Sequence, residues 1–262
     1  MGSTRSWQSV PEAPLAVSGL ASGKSRYRVT ISRDPTDIAA AQALRTRAFA
    51  TREGDEDRFD ALCDHLLVRD AQSGAVMCSA RILMLADGAG VTQSYSAQYY
   101  GLDALATYRG RLAELGRFCI APDQTDPDIL RSAWGGLTRY VDDNKIEMLF
   151  GCSSFSGIET TGYLDTFALL RDRYLAPTRW RPEIGAPEVV RFAADDGGAR
   201  DIRRGMQAMP PLLRSYLMMG GWVSDHAVVD RQMNTLHVFT GLEVEAIPAS
   251  RKRLLRAVGA EI

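Results

Sequence analysis

The residues that could do chemistry together in this sequence are six charged side chains at the ends and on the faces of predicted elements: Arg45, Asp57, Asp60, Arg81, Glu114 and Arg117. Glu114 and Arg117 lie inside the apolar run Leu112–Ile120, and a buried charge needs a partner. Because they are three residues apart, a regular strand would turn them to opposite faces. A β-bulge, or a salt bridge with Asp57 or Asp60, could place both in one site. The pattern also fits surface ion pairs on a sheet.

Hydrophobic periodicity predicts the elements that would position these side chains. A helix over Ile38–Phe49 carries Arg45, and the polar segment Thr51–Cys63 is a loop that holds both aspartates. The predicted strands are Arg26–Ser32, His65–Arg69, Ala75–Leu85, Val91–Ser96, Leu112–Ile120, Ile146–Phe155, Trp222–Val229 and Leu236–Phe239. The other predicted helices are Ala97–Tyr108, Pro127–Val141, Tyr163–Tyr174 and Met206–Met219.

The order of these elements predicts an α/β fold. Strands and helices alternate irregularly and several strands follow one another like hairpins, which favours a mixed sheet over a doubly wound parallel one. Ile146–Phe155 is too apolar for an edge strand and should lie centrally. We predict a disordered tail over residues 1–25 and a single domain over residues 26–262, with a C-terminal extension over about 176–262.

Composition argues against several classes of function. The 31 Lys and Arg against 32 Asp and Glu leave no global basic field to hold nucleic acid. The cysteines Cys63, Cys78, Cys119 and Cys152 lack the spacing of a metal site or a disulfide framework, which predicts a reducing, cytoplasmic compartment. No apolar stretch approaches the ~20 residues of a membrane span. Neither a glycine-rich dinucleotide fingerprint nor a Walker loop occurs.

Four short segments, in chain order, give the sequence a family resemblance. They read LRTRAF (Leu44–Phe49), DRFD (Asp57–Asp60), CSAR (Cys78–Arg81) and ELGRF (Glu114–Phe118). This order resembles the signature of acyl-homoserine-lactone synthases, which are GNAT-fold enzymes that take acyl groups from acyl carrier protein.

The wider match, from about Arg28 to about Ala246, is similar to their relatives, the ornithine-lipid N-acyltransferases. The segments that carry it are Asp64–Val68, Ser94–Ser96, Trp134–Leu137, Leu149–Phe155, Met209–Leu213 and Gly220–Asp230. The resemblance implies a GNAT-type mixed β-sheet flanked by helices, with a C-terminal elaboration. It also implies transfer of a (3-hydroxy)acyl group from acyl carrier protein to the α-amino group of an amino acid, giving a lyso-aminolipid.

The resemblance implies roles for individual residues. Aminolysis of a thioester needs a neutral amine, and Glu114 would be the base that accepts its proton, or else a structural partner of Arg117. Arg81 and Arg117 complete the implied catalytic set. The implied substrate-binding residues are Arg45, Asp57, Asp60, Phe118, Cys119, Ile120 and His237. In GNAT folds a bulged central strand supplies backbone N–H groups to the oxyanion, which here indicates Phe118–Ile120.

The same resemblance bears on the donor and the acyl channel. Where coenzyme A-dependent GNAT proteins carry a glycine-rich pyrophosphate loop, this chain has Ala121–Pro127 without a glycine. That favours acyl carrier protein thioester as co-substrate, with no cofactor and no metal. Aromatic and apolar residues that could line the channel, or form plain core, are Phe118, Trp134, Leu149, Phe150, Phe155 and Phe167. We expect Met206–Met219 to pack internally, and its alternative is peripheral contact with the inner membrane.

Three departures from the family pattern leave the accepting amino acid open. This chain has Arg117-Phe-Cys119 where the family has Arg-Ser-Cys, and Ser154-Phe-Ser-Gly157 where the family has Ser-Phe-His-Gly. It has Asn234-Thr-Leu-His237 where the family has Asn-Thr-Thr-Asp. His237 therefore replaces an acidic residue that could pair with the side-chain ammonium of ornithine. Ornithine is the first expectation and glutamine the second.

Other interpretations stay open at this point. If His237 is remote from the acceptor, recognition would fall to Asp225, Asp230 or Glu243. An acyl-homoserine-lactone synthase that uses S-adenosylmethionine is disfavoured by the long extension past Phe155. A non-catalytic protein that binds acyl carrier protein is disfavoured because the implied catalytic set is retained.

Overall fold

A large mixed β-sheet organises the chain. The computed structural model describes residues 26–51, 54–192 and 201–260, so the predicted tail over residues 1–25 lies outside the described residues. The strands are β1 (Tyr27–Ser32), β2 (Asp64–Asp70), β3 (Val76–Leu85), β4 (Tyr100–Gly101), β5 (Arg111–Ile120), β6 (Ile146–Ser156), β7 (Glu183–Ile184), β8 (Val189–Arg191), β9 (Trp222–Val223), β10 (His226–Asp230) and β11 (Thr235–Glu243). The large sheet has the order β1-β2-β3-β5-β6-β11-β10-β8, with β9 paired to β11, and β4 pairs with β7. Among the strand pairings of the described residues in this sheet, only that of β5 with β6 is parallel.

Helices flank the sheet, which confirms the predicted mixed α/β fold. They are α1 (Pro35–Phe49), α2 (Asp103–Ala106), α3 (Pro127–Asp143), α4 (Leu164–Arg173), α5 (Ile202–Ala208), α6 (Pro211–Met218) and α7 (Ala249–Ala260). Asp34 and Asp126 cap the first turns of α1 and α3, and a proline follows each cap. Over the described ranges, none of these helices has the length and apolarity to cross a membrane.

The two faces of the large sheet are covered differently. On one side, the helical face, Leu115 of β5 packs in a cluster with Trp134 of α3. On the other side, the loop face, Phe150 of β6 packs in a cluster with Tyr100 of β4. Because side chains alternate along a strand, Glu114 lies on the loop face while its neighbour Leu115 lies on the helical face.

Strands β5 and β6 diverge part-way along their length. Their parallel pairing ends where Glu114 lies opposite Phe150; beyond that point β5 pairs with β3 and β6 with β11. At Gly151, a Cβ atom would lie 2.3 Å from the backbone oxygen of Leu115. Only glycine therefore allows the two strands to approach so closely at the base of the gap.

Most predicted strands are confirmed, whereas two predicted elements between β3 and β5 are wrong. Val91–Ser96 is no strand, because this region forms 3₁₀ turns at Gly88–Gln93 and Ser96–Gln98, and of Ala97–Tyr108 only α2 is α-helical. The reason is tertiary. The Glu114 carboxylate accepts the backbone N–H groups of two residues in this region, which holds the segment against the sheet as turns.

The C-terminal part also differs from prediction. Met206–Met219 divides into α5 and α6 around Pro210, which lacks a backbone N–H, and Trp222–Val229 divides into β9 and β10. Strands β7 and β8 and helix α7 were not predicted. Strands β8 to β11 join the same sheet as β5 and β6, so C-terminal residues can reach the gap.

Candidate active site

The gap between β5 and β6 contains a cavity of about 560 Å³, a size typical of small-molecule sites. Charged and polar residues line it on the loop face: Arg81, Tyr95, Glu114, Arg117, Asp230 and His237. Mostly apolar residues line it on the helical face, including Phe155, Met209, Leu212, Leu213 and Tyr216. The cavity therefore joins a charged compartment on one side of the sheet to an apolar compartment on the other.

Glu114 is buried at the base of the gap, with 5% of its surface exposed. One carboxylate oxygen accepts the backbone N–H (2.7 Å) and the hydroxyl (2.6 Å) of Ser96, and the other accepts the backbone N–H of Tyr95 (2.8 Å). Burial raises the pKa of Glu114, against the opposing effects of these hydrogen bonds and of Arg81. A carboxyl group with fixed orientation and a raised pKa can act as a general base.

Two buried arginines on the loop face hold the segment that follows α1. Arg45 donates to both carboxylate oxygens of Asp60 at 2.8 Å. Arg81 donates to Asp60 at 3.1 Å and to Asp57 at 2.5 Å. Although burial would raise it, hydrogen bonds from Arg45 and Gln42 hold the pKa of Asp60 well below its usual value. These ion pairs connect α1, the loop and β3.

Strand β5 contains a β-bulge at Arg117. Its register with β3 passes from Gly116 opposite Arg81 to Cys119 opposite Ser79, which leaves an extra residue on β5. Arg117 has a φ of 51°, in the left-handed region that residues other than glycine seldom adopt. Such backbone conformations cluster at functional sites.

The side chain of Arg117 extends the ionic network toward the cavity. It donates to Asp55 at 3.2 Å and to Asp57 at 3.4 Å, and its guanidinium lies 5.1 Å from the centre of the Tyr95 ring. The bulge and the salt bridge with Asp57, which the sequence offered as alternatives, therefore both occur. Glu114 and Arg117 both line the cavity.

The C-terminal strands contribute a neutral histidine and a carboxylate. His237 of β11 is 2% exposed, and burial lowers its pKa to about 4, an effect that His226 reinforces and Asp230 opposes. The imidazole is therefore uncharged near neutral pH. Asp230 of β10 lines the same part of the cavity.

Comparison with known proteins identifies the family. Residues 40–135 match the family model described as an acetyltransferase (GNAT) domain. The L-ornithine N(alpha)-acyltransferase of Rhodobacter capsulatus is 31% identical over 245 residues, which cover 87% of this chain and 94% of that protein. The chain belongs to the L-ornithine Nα-acyltransferase family. A second member, from Brucella abortus, is 29% identical over 89% of both chains.

Among solved structures, the chain is similar to the N-acyl amino acid synthase FeeM from uncultured soil microbes. Its TM-score is 0.47 at 13% identity, over 90% of this chain and 98% of that one. The acyl-homoserine-lactone synthase LasI gives a TM-score of 0.39 at 16% identity, over 84% of this chain and 91% of that one.

In this acyltransferase, half of the predicted site residues line the cavity and half lie beside it. Those in the lining are Arg81, Glu114, Arg117, Phe118 and His237. Arg45, Asp57 and Asp60 belong to the ionic network, and Cys119 and Ile120 pair with Ser79 and Cys78 on β3 instead of facing the cavity. Their roles in catalysis and binding stay predictions.

The predicted acyl-channel residues also divide. Phe118 and Phe155 line the cavity, while Trp134 and Leu149 line a separate cavity of about 40 Å³. Phe150 and Phe167 are core residues. Within Met206–Met219, the predicted internal packing is confirmed for Met209, Leu213, Leu217 and Met219, whereas Met218 is 47% exposed.

Three residues of the site were not singled out from the sequence. Asp55 completes the ionic network, and Tyr95 and Ser96 orient Glu114. For Tyr95 and Ser96, the only signal in the sequence was the family resemblance of Ser94–Ser96. For Asp55 there was no signal, because nothing in the charged loop distinguished it from Glu56.

Proposed function

We propose that this protein transfers an acyl group from the thioester of acyl carrier protein to the α-amino group of L-ornithine, giving a lyso-aminolipid for membrane lipid synthesis. The observation that carries the proposal is the cavity through the sheet, with a buried carboxyl group at one end and an apolar compartment at the other. Membership of the L-ornithine Nα-acyltransferase family supports the substrate class.

The apolar compartment suits the acyl chain. Its wall is built largely by α6 and the residues before it, including Met209, Leu212 and Leu213, and Phe155 of β6 also lines it. Transfer of a fatty chain from water to such a surface is favourable at roughly 25 cal/mol per Å² of apolar area buried. The thioester at the end of the chain would then lie in the gap between β5 and β6.

Glu114 is the base in the proposed reaction. In the proposed step the α-amine nitrogen attacks the thioester carbonyl carbon and its proton passes to Glu114. The C–S bond then breaks, and the leaving thiolate of the carrier takes up a proton. Because burial raises the pKa of Glu114, the carboxylate is a stronger base than an exposed glutamate would be.

The bulge in β5 is the candidate oxyanion site. Arg117 and Phe118 fall between registered pairs on β3 and line the cavity, whereas Cys119 and Ile120 are paired. Backbone N–H groups that are fixed near the carbonyl stabilise the charge of a tetrahedral intermediate. We therefore propose the backbone N–H groups of Arg117 and Phe118 as the oxyanion donors, in place of those of Phe118–Ile120.

The start of α3 supports a carrier-protein donor over coenzyme A. A helix N-terminus binds pyrophosphate through backbone N–H groups and the helix dipole. Here Asp126 caps that end by accepting the N–H of Asp128 at 2.9 Å, and it also accepts hydrogen bonds from Arg26 and Tyr27. The capping carboxylate of Asp126 therefore occupies a backbone N–H group that a pyrophosphate would need.

The test is a reconstituted reaction followed by thiol release. The purified protein is mixed with L-ornithine and either 3-hydroxyacyl carrier protein or the matching acyl-coenzyme A. We expect ornithine-dependent thiol release from the carrier protein and slow release from coenzyme A. Equal rates with both donors would contradict the carrier-protein assignment, and no ornithine-dependent release from either would contradict the function.

A further inference from the structure

One polar atom at the loop-face end of the cavity has no role in the proposed reaction. The Nε2 atom of His237 is buried and has no hydrogen-bond partner. An unpaired buried polar atom is costly, and each one in a native structure needs a physical explanation. His237 lines the cavity, so its imidazole lies beside a ligand bound there.

The hydrogen bonds of Tyr100 fix the tautomer of this histidine. The Tyr100 hydroxyl donates its one proton to the backbone oxygen of His237 at 2.9 Å. The same hydroxyl oxygen lies 3.1 Å from Nδ1 of His237, so in that contact it must accept a proton from Nδ1. Nε2 therefore carries a lone pair and accepts hydrogen bonds.

Asp230 supplies a negative charge on the same face of the sheet. In the β10–β11 hairpin, Asp230 pairs with Thr235, and His237 follows two residues later, so all three side chains lie on the face that lines the cavity. Asp230 is 6% exposed, and one of its oxygens accepts the backbone N–H of Met233 at 2.9 Å.

Among the described residues, no cation is paired with this carboxylate. Arg214, which also lines the cavity, donates to the backbone oxygen of Met209 at 3.4 Å. The arginines Arg45, Arg81 and Arg117 are paired with the aspartates Asp55, Asp57 and Asp60. Within the described residues, neither Glu114 nor Asp230 forms an ion pair. Glu114 takes up the proton of the attacking amine in the proposed reaction, so Asp230 remains to be neutralised by the ligand.

We propose that Asp230 and His237 form the subsite for the side-chain ammonium group of the acceptor amino acid, with Asp230 as counter-ion and Nε2 of His237 as hydrogen-bond acceptor. This inference rests on the proposed function and specifies its acceptor. A glutamine side chain could also donate to Nε2, but it would leave the buried Asp230 charge unpaired. The replacement of an acidic residue by His237 is thus offset by a carboxylate on the neighbouring strand.

The experiment compares ornithine with norvaline, which has the same carbon chain without the side-chain amine. Acylation of each by the carrier-protein thioester is measured for the wild type and for Asp230→Asn. Asparagine keeps an oxygen that can accept the Met233 N–H, so the hairpin should fold. We expect the wild type to prefer ornithine by roughly 100-fold in kcat/KM, and Asp230→Asn to lose that preference while still acylating norvaline.

A matched control is Asp225→Asn, because Asp225 is outside the cavity lining and contacts His226 instead. This control should keep the ornithine preference. If Asp230→Asn also keeps it, or if the wild type acylates norvaline as well as ornithine, the ammonium subsite is overturned and the acyltransferase function stands. If the wild type acylates neither amino acid, the proposed function is overturned and the subsite with it.

Discussion

Replacing Glu114 by glutamine should separate the two roles of this residue. The carboxylate accepts three hydrogen bonds from Ser96 and Tyr95, whereas a glutamine side chain offers one acceptor oxygen. If that oxygen faces Ser96, the Tyr95 N–H is left against an NH₂ group, at a cost of about 1–3 kcal/mol in the free energy of unfolding. Separately from this loss of stability, the protein that remains folded should acylate ~10²–10⁴-fold more slowly than the wild type, because it lacks the base.

The pH dependence of the rate distinguishes a base from a structural anchor. Hydrogen bonds from Ser96 lower the pKa of Glu114 against the larger effect of burial, so Ser96→Ala should raise this pKa further. Because the base must be deprotonated, the acid limb of the kcat/KM profile should move to higher pH in Ser96→Ala and disappear in Glu114→Gln.

The assay is thiol release from the carrier-protein donor across pH, with denaturant unfolding of each variant in parallel. A folded Glu114→Gln protein with near wild-type turnover would refute the reasoning. So would an acid limb that stays in place when Ser96 is replaced.

Three further predictions concern the ionic network, the gap and the donor. Asp60→Asn should destabilise the fold by about 3–5 kcal/mol in denaturant unfolding, because it removes the buried carboxylate charge that Arg45 contacts at 2.8 Å and leaves Arg45 only the longer ion pair with Asp55, at 3.7 Å. In the wild type, the pKa of Asp60 is lower in the folded state than the ~3.9 of an unfolded aspartate, so ionised Asp60 stabilises the fold above about pH 4. That stability is lost as the pH falls toward the folded-state pKa, and the free energy of unfolding should therefore decrease below about pH 4. A free energy of unfolding that does not change with pH there would contradict this. Gly151→Ala places a Cβ 2.3 Å from the Leu115 oxygen and should cost about 1–3 kcal/mol, whereas Gly162→Ala, with open space around the added Cβ, serves as the control; equal stabilities would argue against a close approach at the gap. Added salt should raise the apparent KM for the carrier-protein donor, because acidic carrier proteins are steered by basic side chains, and a KM that does not respond to salt would count against that docking mode.

The sheet was largely predictable because its strands carry strong local signals. The run Leu112–Ile120 predicted β5, and the two charges within it, Glu114 and Arg117, predicted that the strand needed partners or a bulge. Periodicity could not fix where the bulge occurs. That depends on the three-dimensional fit of Arg117 to aspartates that lie about sixty residues earlier in the chain.

The segment between β3 and β5 shows why local pattern fails. The spacing of its apolar residues is typical of a short strand and a helix. Instead, the backbone N–H groups of Tyr95 and Ser96 donate to the Glu114 carboxylate, so they are not available for hydrogen bonds to a neighbouring strand. The cause lies 18 or 19 residues away in sequence, so no window over the segment could contain it.

The acceptor end of the site could be only half predicted. The motif comparison singled out His237, and Asp230 stood among three alternatives with Asp225 and Glu243. The choice depends on strand register: Asp230 lies on the cavity face of the hairpin, whereas Asp225 pairs with His226, and Glu243 with Arg179. Strand register depends on the tertiary structure, so the sequence alone could not distinguish among these three acidic residues.

The central claim is that the cavity between β5 and β6 joins an acyl thioester to the α-amine of ornithine. The most direct test is mass spectrometry of the product formed from 3-hydroxyacyl carrier protein and L-ornithine by the purified protein, with fragmentation to locate the amide. The account predicts an Nα-acylornithine with the side-chain amine free. A product acylated on the side-chain nitrogen, or no amide at all, would contradict it.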